Sequence, residues 1–371
     1  MVFSFLRRLA SRSDVGTRPV AGGRIPLVGF PPTFSETSFV QRRRQSFEAV
    51  EPALATPMHE TSVNGRAAMA GGGVYDARGR RIEAARREIS HGVPPMRVRR
   101  KLRPHLLAAT EVPDGDVLVY AGPAFAHFGH FLLEGLSRLW WTDRVAAPAK
   151  VRLVFHETPP RGRRDAFLAK SYVTESLRLL GLAPERAVFV ADTPLRFDRL
   201  MVPSPTLSLG GHAYPGFATA YERIAAAARG GGAPKPAGAV YFSRTGIRDE
   251  RQRVDNEAEI EALMRELGVE VVRPETLPFA EQIRLVGDRR LVVGCAGSAM
   301  HLVAFAGPET RVLCLDTWHN TNQLIIEHAK GLTARHLWFG SKRTHVRREN
   351  DPPRSVDLDA VRSHTLAMLA A

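Results

Sequence analysis

A chain of 371 residues with 44% apolar content is too long for one small core, and the usual domain size of roughly 100 to 200 residues predicts two domains. Lys and Arg number 52 against 38 Asp and Glu, giving +14 and a sequence pI near 10.6. That excess points to an anionic partner (nucleic acid, anionic lipid headgroups or a phosphate-bearing small molecule) without choosing among them. The two cysteines, Cys295 and Cys314, lie in apolar runs, which suits buried free thiols in a reducing compartment and argues against a disulfide scaffold.

The first segment, MVFSFLRRLASRSDVGTR, has only a few apolar residues before Arg7 and Arg8 and lacks the h-region of a signal peptide. No run approaches the roughly 18 apolar residues of a membrane span. The expectation is a cytoplasmic protein with a basic leader. Residues 1 to about 60 are rich in Pro, Gly, Ser and Arg, include QRRRQ at 41–45, and read as irregular with short strands. Between Arg78 and Arg103, ten Arg and Lys stand against Glu83 and Glu88, a balance of +8. Such a segment is a solvated basic face, or a dock for an anionic membrane surface. Residues 1–110 are therefore expected to form an irregular basic region.

Regular alternation begins at DVLVYA (116–121), a strand. A helix, GHFLLEGLSRLWWTD, and a strand, KVRLVFH (150–156), follow. A further helix over about 164–180 closes at Gly181, and short strands are expected near AVFV and RLMV. Strand, helix, strand at this spacing predicts a parallel sheet with crossover helices, so 111–230 is expected to be an α/β domain. The stretch RGGGAPKPAG (229–238) has the composition of a linker. Beyond it, strands AVYFS, VEVVR, RLVVG and RVLCL alternate with helices NEAEIEALMREL, PFAEQIRLVGD and SAMHLVAFA. Near-continuous apolar strands indicate burial on both sheet faces and a second α/β domain over 239–350, with a C-terminal helix in 351–371. Two such domains are expected to leave a ligand-binding cleft between them.

In doubly wound sheets ligands sit outside the carboxyl ends of strands, so the strand exits are the candidate places for chemistry. After AVYFS comes RTGIRDERQR, with Arg244, Arg248, Arg251 and Arg253 against Asp249 and Glu250. Arginine's planar fork binds phosphate oxygens bidentately, so this loop suits a diphosphate. After RLVVG, Gly297 and Ser298 open a helix whose free N–H groups favour an anion, and His301 follows one turn in. No GxxxxGK[ST] loop or HExxH motif occurs, and the cysteines lack metal-ligand spacing. The triplets DGD (114–116) and DLD (357–359) read as turns, so no metal site is expected. Helical spacing puts His130, Glu134 and Arg138 on one stripe at the exit of DVLVYA. A histidine there can act as a general base with a carboxylate orienting its ring; the plain alternative is a surface ion pair.

Three separated pieces of the chain resemble the family 61 glycosyltransferases, a group that includes many capsular polysaccharide biosynthesis proteins. HFGHFLLEGLSRLW resembles the family's first motif. YFSRTGIRDERQRVDNEAEI resembles the second, on Arg244, Arg253, Asn256 and Glu257. VVRPETLPFAEQIRLVGDRRLVVGCAGSAMHLVAF resembles the last, on Pro274, Glu275, Phe279, Gln282, Gly294, Gly297, Ser298 and Phe305. Members often carry His-Gly in that last block where this chain has Ala296-Gly297, and His301 is the nearest substitute. The resemblance implies an inverting transferase of GT-B type, with two Rossmann-like domains and a nucleotide-sugar donor held mainly by the second.

Residues and resemblance together give the expected site: His130 and Glu134 as base and orienter, with the acceptor role left open between them. The donor-binding set is Arg244, Arg253, Asn256, Glu257, Glu275, Gln282, Gly297, Ser298 and His301. Arginine is expected to replace a divalent metal at the leaving group, so no cofactor is implied. The acceptor is a glycan or lipid-linked hydroxyl, with peripheral contact to an anionic inner membrane and no nucleic acid. The competing class is a non-catalytic basic protein that binds nucleic acid or an anionic glycan, which the 78–103 segment favours. That segment nevertheless lacks the interleaved aromatics that stack on bases.

Overall fold

The computed structural model describes residues 26–29, 39–41, 45–63, 66–89, 97–113, 115–144, 150–160, 162–234, 236–246, 254–318, 320–340 and 354–371. The chain forms two compact units, one built on 41–224 and one on 225–371 with the described part of 18–40. Among the described residues no helix is long and apolar enough to cross a membrane.

A short strand, β1 (Leu27–Val28), belongs to the second unit. In the first unit β2 (Phe47–Val50), β3 (Ala53–Ala55), the hairpin β4 (Met58–Val63) and β5 (Arg66–Gly71), and β6 (Val74–Tyr75) precede β7 (Thr110–Val112) and β8 (Val117–Pro123). After a helical segment at 128–144 come β9 (Val151–His156), α1 (Arg163–Leu168), α2 (Ser171–Leu179), β10 (Val188–Val190), β11 (Leu195–Phe197) and β12 (Leu200–Pro203). A small hairpin, β13 (Leu207–Ser208) and β14 (His212–Ala213), then leads to α3 (Phe217–Ala228).

The main sheet of this unit has the order β10-β9-β8-β12-β2. Its first four strands are parallel and β2 is antiparallel at the edge. A second sheet, β6-β3-β11-β7, closes one face through Ala53, Ala55, Val74 and Phe197, packed on Leu118, Tyr120, Val154 and Val202. The expectation of an irregular region over 1–110 is thus corrected: residues 47–75 supply strands to both sheets. These strands are short and rich in Ala, Glu and Met, with too few β-branched residues to register as strands, and only tertiary pairing makes them so.

The segment expected as one amphipathic helix departs from it. A single α turn, Phe128–His130, passes into a π-helical turn, Phe131–Gly135, then 3₁₀ turns at Leu136–Arg138 and Trp140–Arg144. Leu132, Leu133, Leu136 and Trp141 are all fully buried, so packing sets the winding here, and periodicity does not. The helix expected over 164–180 is likewise two pieces, α1 and α2, broken at Ala169–Lys170.

In the second unit β15 (Ala239–Phe242), α4 (Glu257–Glu266), β16 (Glu270–Val272), α5 (Phe279–Gly287) and β17 (Leu291–Cys295) follow in order. A 3₁₀ helix, Ser298–Phe305, then leads to β18 (Arg311–Asp316), α6 (Thr321–Lys330), β19 (Thr333–Trp338) and α7 (Leu358–Ala370). The sheet order is β1-β19-β18-β17-β15-β16, parallel throughout. Ile260, Leu263 and Met264 of α4 and Val361 and Met368 of α7 cover the face bearing Tyr241, Val293 and Leu313. The Ser298–Phe305 helix packs on the opposite face, where a Cβ at Gly294 would meet Met300 Sδ at 2.6 Å. The unit is a doubly wound α/β sheet, and both cysteines are buried and free.

A polar cluster is buried on that second face. Cys314 and His336 are register partners on β18 and β19. Cys314 Sγ donates to Asp316 Oδ1 (3.4 Å), His336 Nδ1 meets Asp316 Oδ2 (2.5 Å), and His336 Nε2 meets Glu327 Oε2 (2.7 Å). Gln323 Nε2 donates to Glu327 Oε1 (2.8 Å), and its Oε1 lies 3.2 Å from His301 Nδ1. Burial alone would lower the His336 pKa, but Glu327 and Asp316 outweigh it and hold the imidazole well above its ordinary range. A cation between two buried carboxylates is what makes their burial tolerable. His336→Phe is therefore expected to lower unfolding free energy by about 3–5 kcal/mol in a urea titration at neutral pH, since it strands both carboxylates; a change under about 1 kcal/mol would contradict the charge assignment.

Candidate active site

In the first unit β8 is the strand from which the parallel sheet grows in both directions, to β9 on one side and β12 on the other. The crevice at the carboxyl end of such a strand is where α/β sheets bind ligands. β8 ends at Pro123, and the next residues place Phe125, His127 and His130 there. The His130 ring lies 5.3 Å from Phe125 and 5.3 Å from His127.

His130 Nδ1 is 2.6 Å from Glu134 Oε2. Arg87 grips the same carboxylate with both arms, Nε to Oε1 (2.5 Å) and Nη2 to Oε2 (2.8 Å), and lies 4.6 Å over the Phe125 ring. Burial raises the Glu134 pKa, but hydrogen bonds from Arg87 and His130 more than offset it, holding the carboxyl below its usual range. Glu134 and Arg87 are nearly closed off, whereas the His130 side chain is 38% exposed. Facing a carboxylate, Nδ1 carries the ring proton, so the Nε2 lone pair is the accepting edge. Burial lowers the His127 pKa, and His130 lowers it further.

Arg138 does not share the stripe expected of it. Its guanidinium is buried and donates to four backbone carbonyls: Ala84 (2.7 Å), Pro203 (2.7 Å), Ala85 (3.1 Å) and Arg86 (2.6 Å). It thereby ties the 3₁₀ turn Glu83–Ala85 to the end of β12 and delivers the next residue, Arg87, to Glu134. Gly122, at φ +87°, leaves room for it, because a Cβ there would lie 3.1 Å from Arg138 Nε. Beneath the guanidinium, 5.2 Å away, lies the Tyr120 ring, whose hydroxyl pairs with His156 Nδ1 at 3.0 Å. Burial pulls the His156 pKa down to about 3, so that histidine is neutral.

In the second unit the sheet grows both ways from β15, to β16 and to β17, and the crevice falls between the exits of β15 and β17. Arg244 leaves β15 and Gly297 leaves β17, and the two meet: Arg244 Nη1 donates to Ala296 O (3.0 Å), and a Cβ at Gly297 would sit 2.8 Å from Nη1. Gly297 caps the 3₁₀ helix and Ser298 is its first residue. Glu257 is buried, its Oε1 accepting from the Arg244 N–H (2.9 Å) and Tyr241 Oη (2.7 Å). Glu275 is exposed beside the same loop, its Oε1 2.7 Å from where a Cβ of Gly246 would lie.

Other members of the expected set are engaged elsewhere. Asn256 bonds the backbone of Val356 in both directions (2.9 and 3.0 Å), and Gln282 donates to the Leu277 carbonyl (3.0 Å). His301 is buried against Gln323. Arg248, Arg251 and Arg253 lie outside the described residues. Of the aspartate triplets, Asp357 caps α7 through the Asp359 and Ala360 N–H groups, Asp116 pairs with Arg186, and Asp114 is outside the described residues. Cys314, Asp316 and His336 converge within 4.8 Å, and their mutual hydrogen bonds already engage them. Arg87, Phe125 and His127 escaped sequence reading; Arg87, 47 residues before its partner, carried no local signal.

The chain matches the glycosyltransferase 61 family over residues 128–313 and belongs to that family; it is a glycosyltransferase. A comparison with curated proteins gives no match. The matched span contains His130, Glu134, Arg138, Arg244, Gly297 and Ser298, whereas Arg87 lies outside it.

Arg87→Met is expected to lower unfolding free energy at neutral pH by about 3–5 kcal/mol, because it leaves Glu134 buried without its guanidinium. A depressed carboxyl pKa contributes stability that is present above the unfolded value and lost as pH falls through the folded one. The difference between wild type and variant should therefore shrink as urea titrations move into the acid range; a pH-independent gap would count against the ion pair.

Proposed function

We propose that this transferase inverts configuration, moving a hexosyl or pentosyl group from a nucleotide-sugar donor to a hydroxyl of a glycan or lipid-linked acceptor in surface polysaccharide biosynthesis. The reading takes the two units as the acceptor-side and donor-side domains of a GT-B enzyme working in the cytoplasm. The observation that carries it is the line Arg87–Glu134–His130, with two members inside the family-matched span and only the histidine accessible.

His130 Nε2 accepts the proton of the acceptor hydroxyl as its oxygen bonds to the anomeric carbon. The bond from that carbon to the donor's diphosphate breaks, and the electron pair leaves with the nucleoside diphosphate. Glu134 stabilises the resulting imidazolium. Sequence left the base open between these two; a buried carboxylate gripped by Arg87, with a lowered pKa, is a poor proton acceptor, which supports His130. Arg244, the Gly297–Ser298 helix start and Arg253 take the diphosphate, with arginine in place of a divalent metal. Glu275, exposed beside Gly246, takes the nucleoside.

His130→Ala is expected to reduce transfer by about 10²–10⁴-fold with donor affinity retained. Glu134→Gln should reduce it less, and the double variant should be no worse than His130→Ala, because the two act as a unit. Near wild-type transfer in His130→Ala would remove the base assignment. Arg244→Lys should weaken nucleoside diphosphate binding about tenfold or more in calorimetry run with and without EDTA, with the chelator making no difference. Unchanged affinity in the variant would remove the diphosphate site.

A further inference from the structure

Five cations with no part in this chemistry stand within seven residues of the first unit. Arg97, Arg99, Arg100, Lys101 and Arg103 are all exposed, and the stretch 97–107 holds no acidic residue. Nearby acids are already engaged, Asp76 with Arg80 and Glu83 with Arg81. The backbone beneath these five side chains is held firmly. Arg97 exchanges hydrogen bonds with Met69 and Gly71 of the hairpin, Tyr75 Oη donates to Arg99 O (3.0 Å), and Arg81 N donates to Arg100 O (3.0 Å). Leu102 N donates to Gly79 O (2.8 Å), and Gly79 permits this approach: at φ +71°, a Cβ there would lie 2.2 Å from Leu102 O.

The edge ends in a 3₁₀ turn, Pro104–Leu106, that presents an apolar tip. Leu106 is 65% exposed, against 48% for Leu366 and 39% for Val28, the other exposed large hydrophobic residues described. A fixed row of cations beside a protruding leucine matches the two layers of a bilayer surface, anionic headgroups above and acyl carbon below. Nucleic acid would call for stacking aromatics, and apart from His105 the stretch 97–107 has no ring to offer. An anionic glycan would leave Leu106 without a purpose.

We propose that the 97–106 edge docks this protein on an anionic lipid surface, the cations meeting headgroup phosphates and Leu106 entering the interface. The test is co-sedimentation of the full chain with vesicles of phosphatidylcholine alone and of phosphatidylcholine mixed with phosphatidylglycerol, and it does not depend on transferase activity. Binding is expected only with the anionic lipid and should weaken with salt. Arg99→Glu/Arg100→Glu should lower partitioning more than about tenfold, and Leu106→Glu about fivefold. Lys170→Glu/Arg178→Glu, the same charge change at the N-cap and in the last turn of α2, should leave it near wild type. Equal pelleting with both vesicle types, or binding unaffected by Arg99→Glu/Arg100→Glu, overturns the proposal. It is also overturned if Leu106→Glu binds vesicles like wild type while duplex DNA is retained as tightly, because the edge is then a general polyanion site.

Discussion

The first unit depends on one buried guanidinium. Among the described residues Arg138 has no carboxylate partner in hydrogen-bond contact; four backbone carbonyls from two distant parts of the chain satisfy it. Five donors in a rigid fork can hold that many acceptors at once, whereas a lysine ammonium has three donors and no plane. What Arg138 fixes is the backbone just before Arg87. Arg87 then fixes Glu134, and Glu134 fixes the ring of His130. Each step hands an orientation to a more exposed group, ending at the one side chain of the series that meets solvent. The π-helical turn over Phe131–Gly135 belongs to the same arrangement, since it carries Glu134 one turn beyond His130 while packing, not periodicity, sets the winding.

How much of this the sequence disclosed follows from where the information resides. Strands such as AVYFS and RVLCL are near-continuously apolar, so the second unit's alternation was legible; α6 and β19, lying in a stretch without clean periodicity, were not. The Ala-rich strands at 47–55 satisfy no propensity rule and exist because other strands pair with them. His130 and Glu134 were visible because they are four apart. Arg87 was invisible because its relation to Glu134 is made by a tertiary bond across 47 residues. Asn256 and Gln282 look like donor ligands in a motif, yet their amide groups meet backbone of the same unit. A motif records which residues stand together and does not say whether they serve the ligand or the loop that holds it.

Strand order supplies what local pattern could not. Across the sheet, the first unit's parallel strands stand in the order β10-β9-β8-β12, and the second unit's in the order β16-β15-β17-β18-β19-β1. In the second unit the connections from the neighbouring strands β15 and β17 leave for opposite sides, so the loops at their carboxyl ends diverge and leave a crevice. His130 follows β8, and Arg244 and Gly297 follow β15 and β17. His130, Arg244 and Gly297 thus stand at the exits of observed strands, as the sequence pattern had them. The second unit backs its position with charge: the Asp316–His336–Glu327 cluster runs through Gln323 to His301, one turn beyond Ser298, so the floor under that helix start is itself ion-paired.

Among the 52 Lys and Arg behind the +14 net charge, two groups do different work. Arg87 and Arg138 are buried or nearly so, held by a carboxylate and by carbonyls respectively, and their effect is positional. The cations of 97–103 are exposed on a backbone pinned by hydrogen bonds to the hairpin, Gly79 and Tyr75, and their effect is a field reaching outward about one Debye length. Composition adds the two together and so overstates what the reaction centre receives. A guanidinium locked to a carboxylate contributes little net potential around it, whereas five exposed cations in seven residues attract an anionic surface that approaches that edge. The basic pI therefore reflects an outward-facing edge as well as cations spent inside the fold.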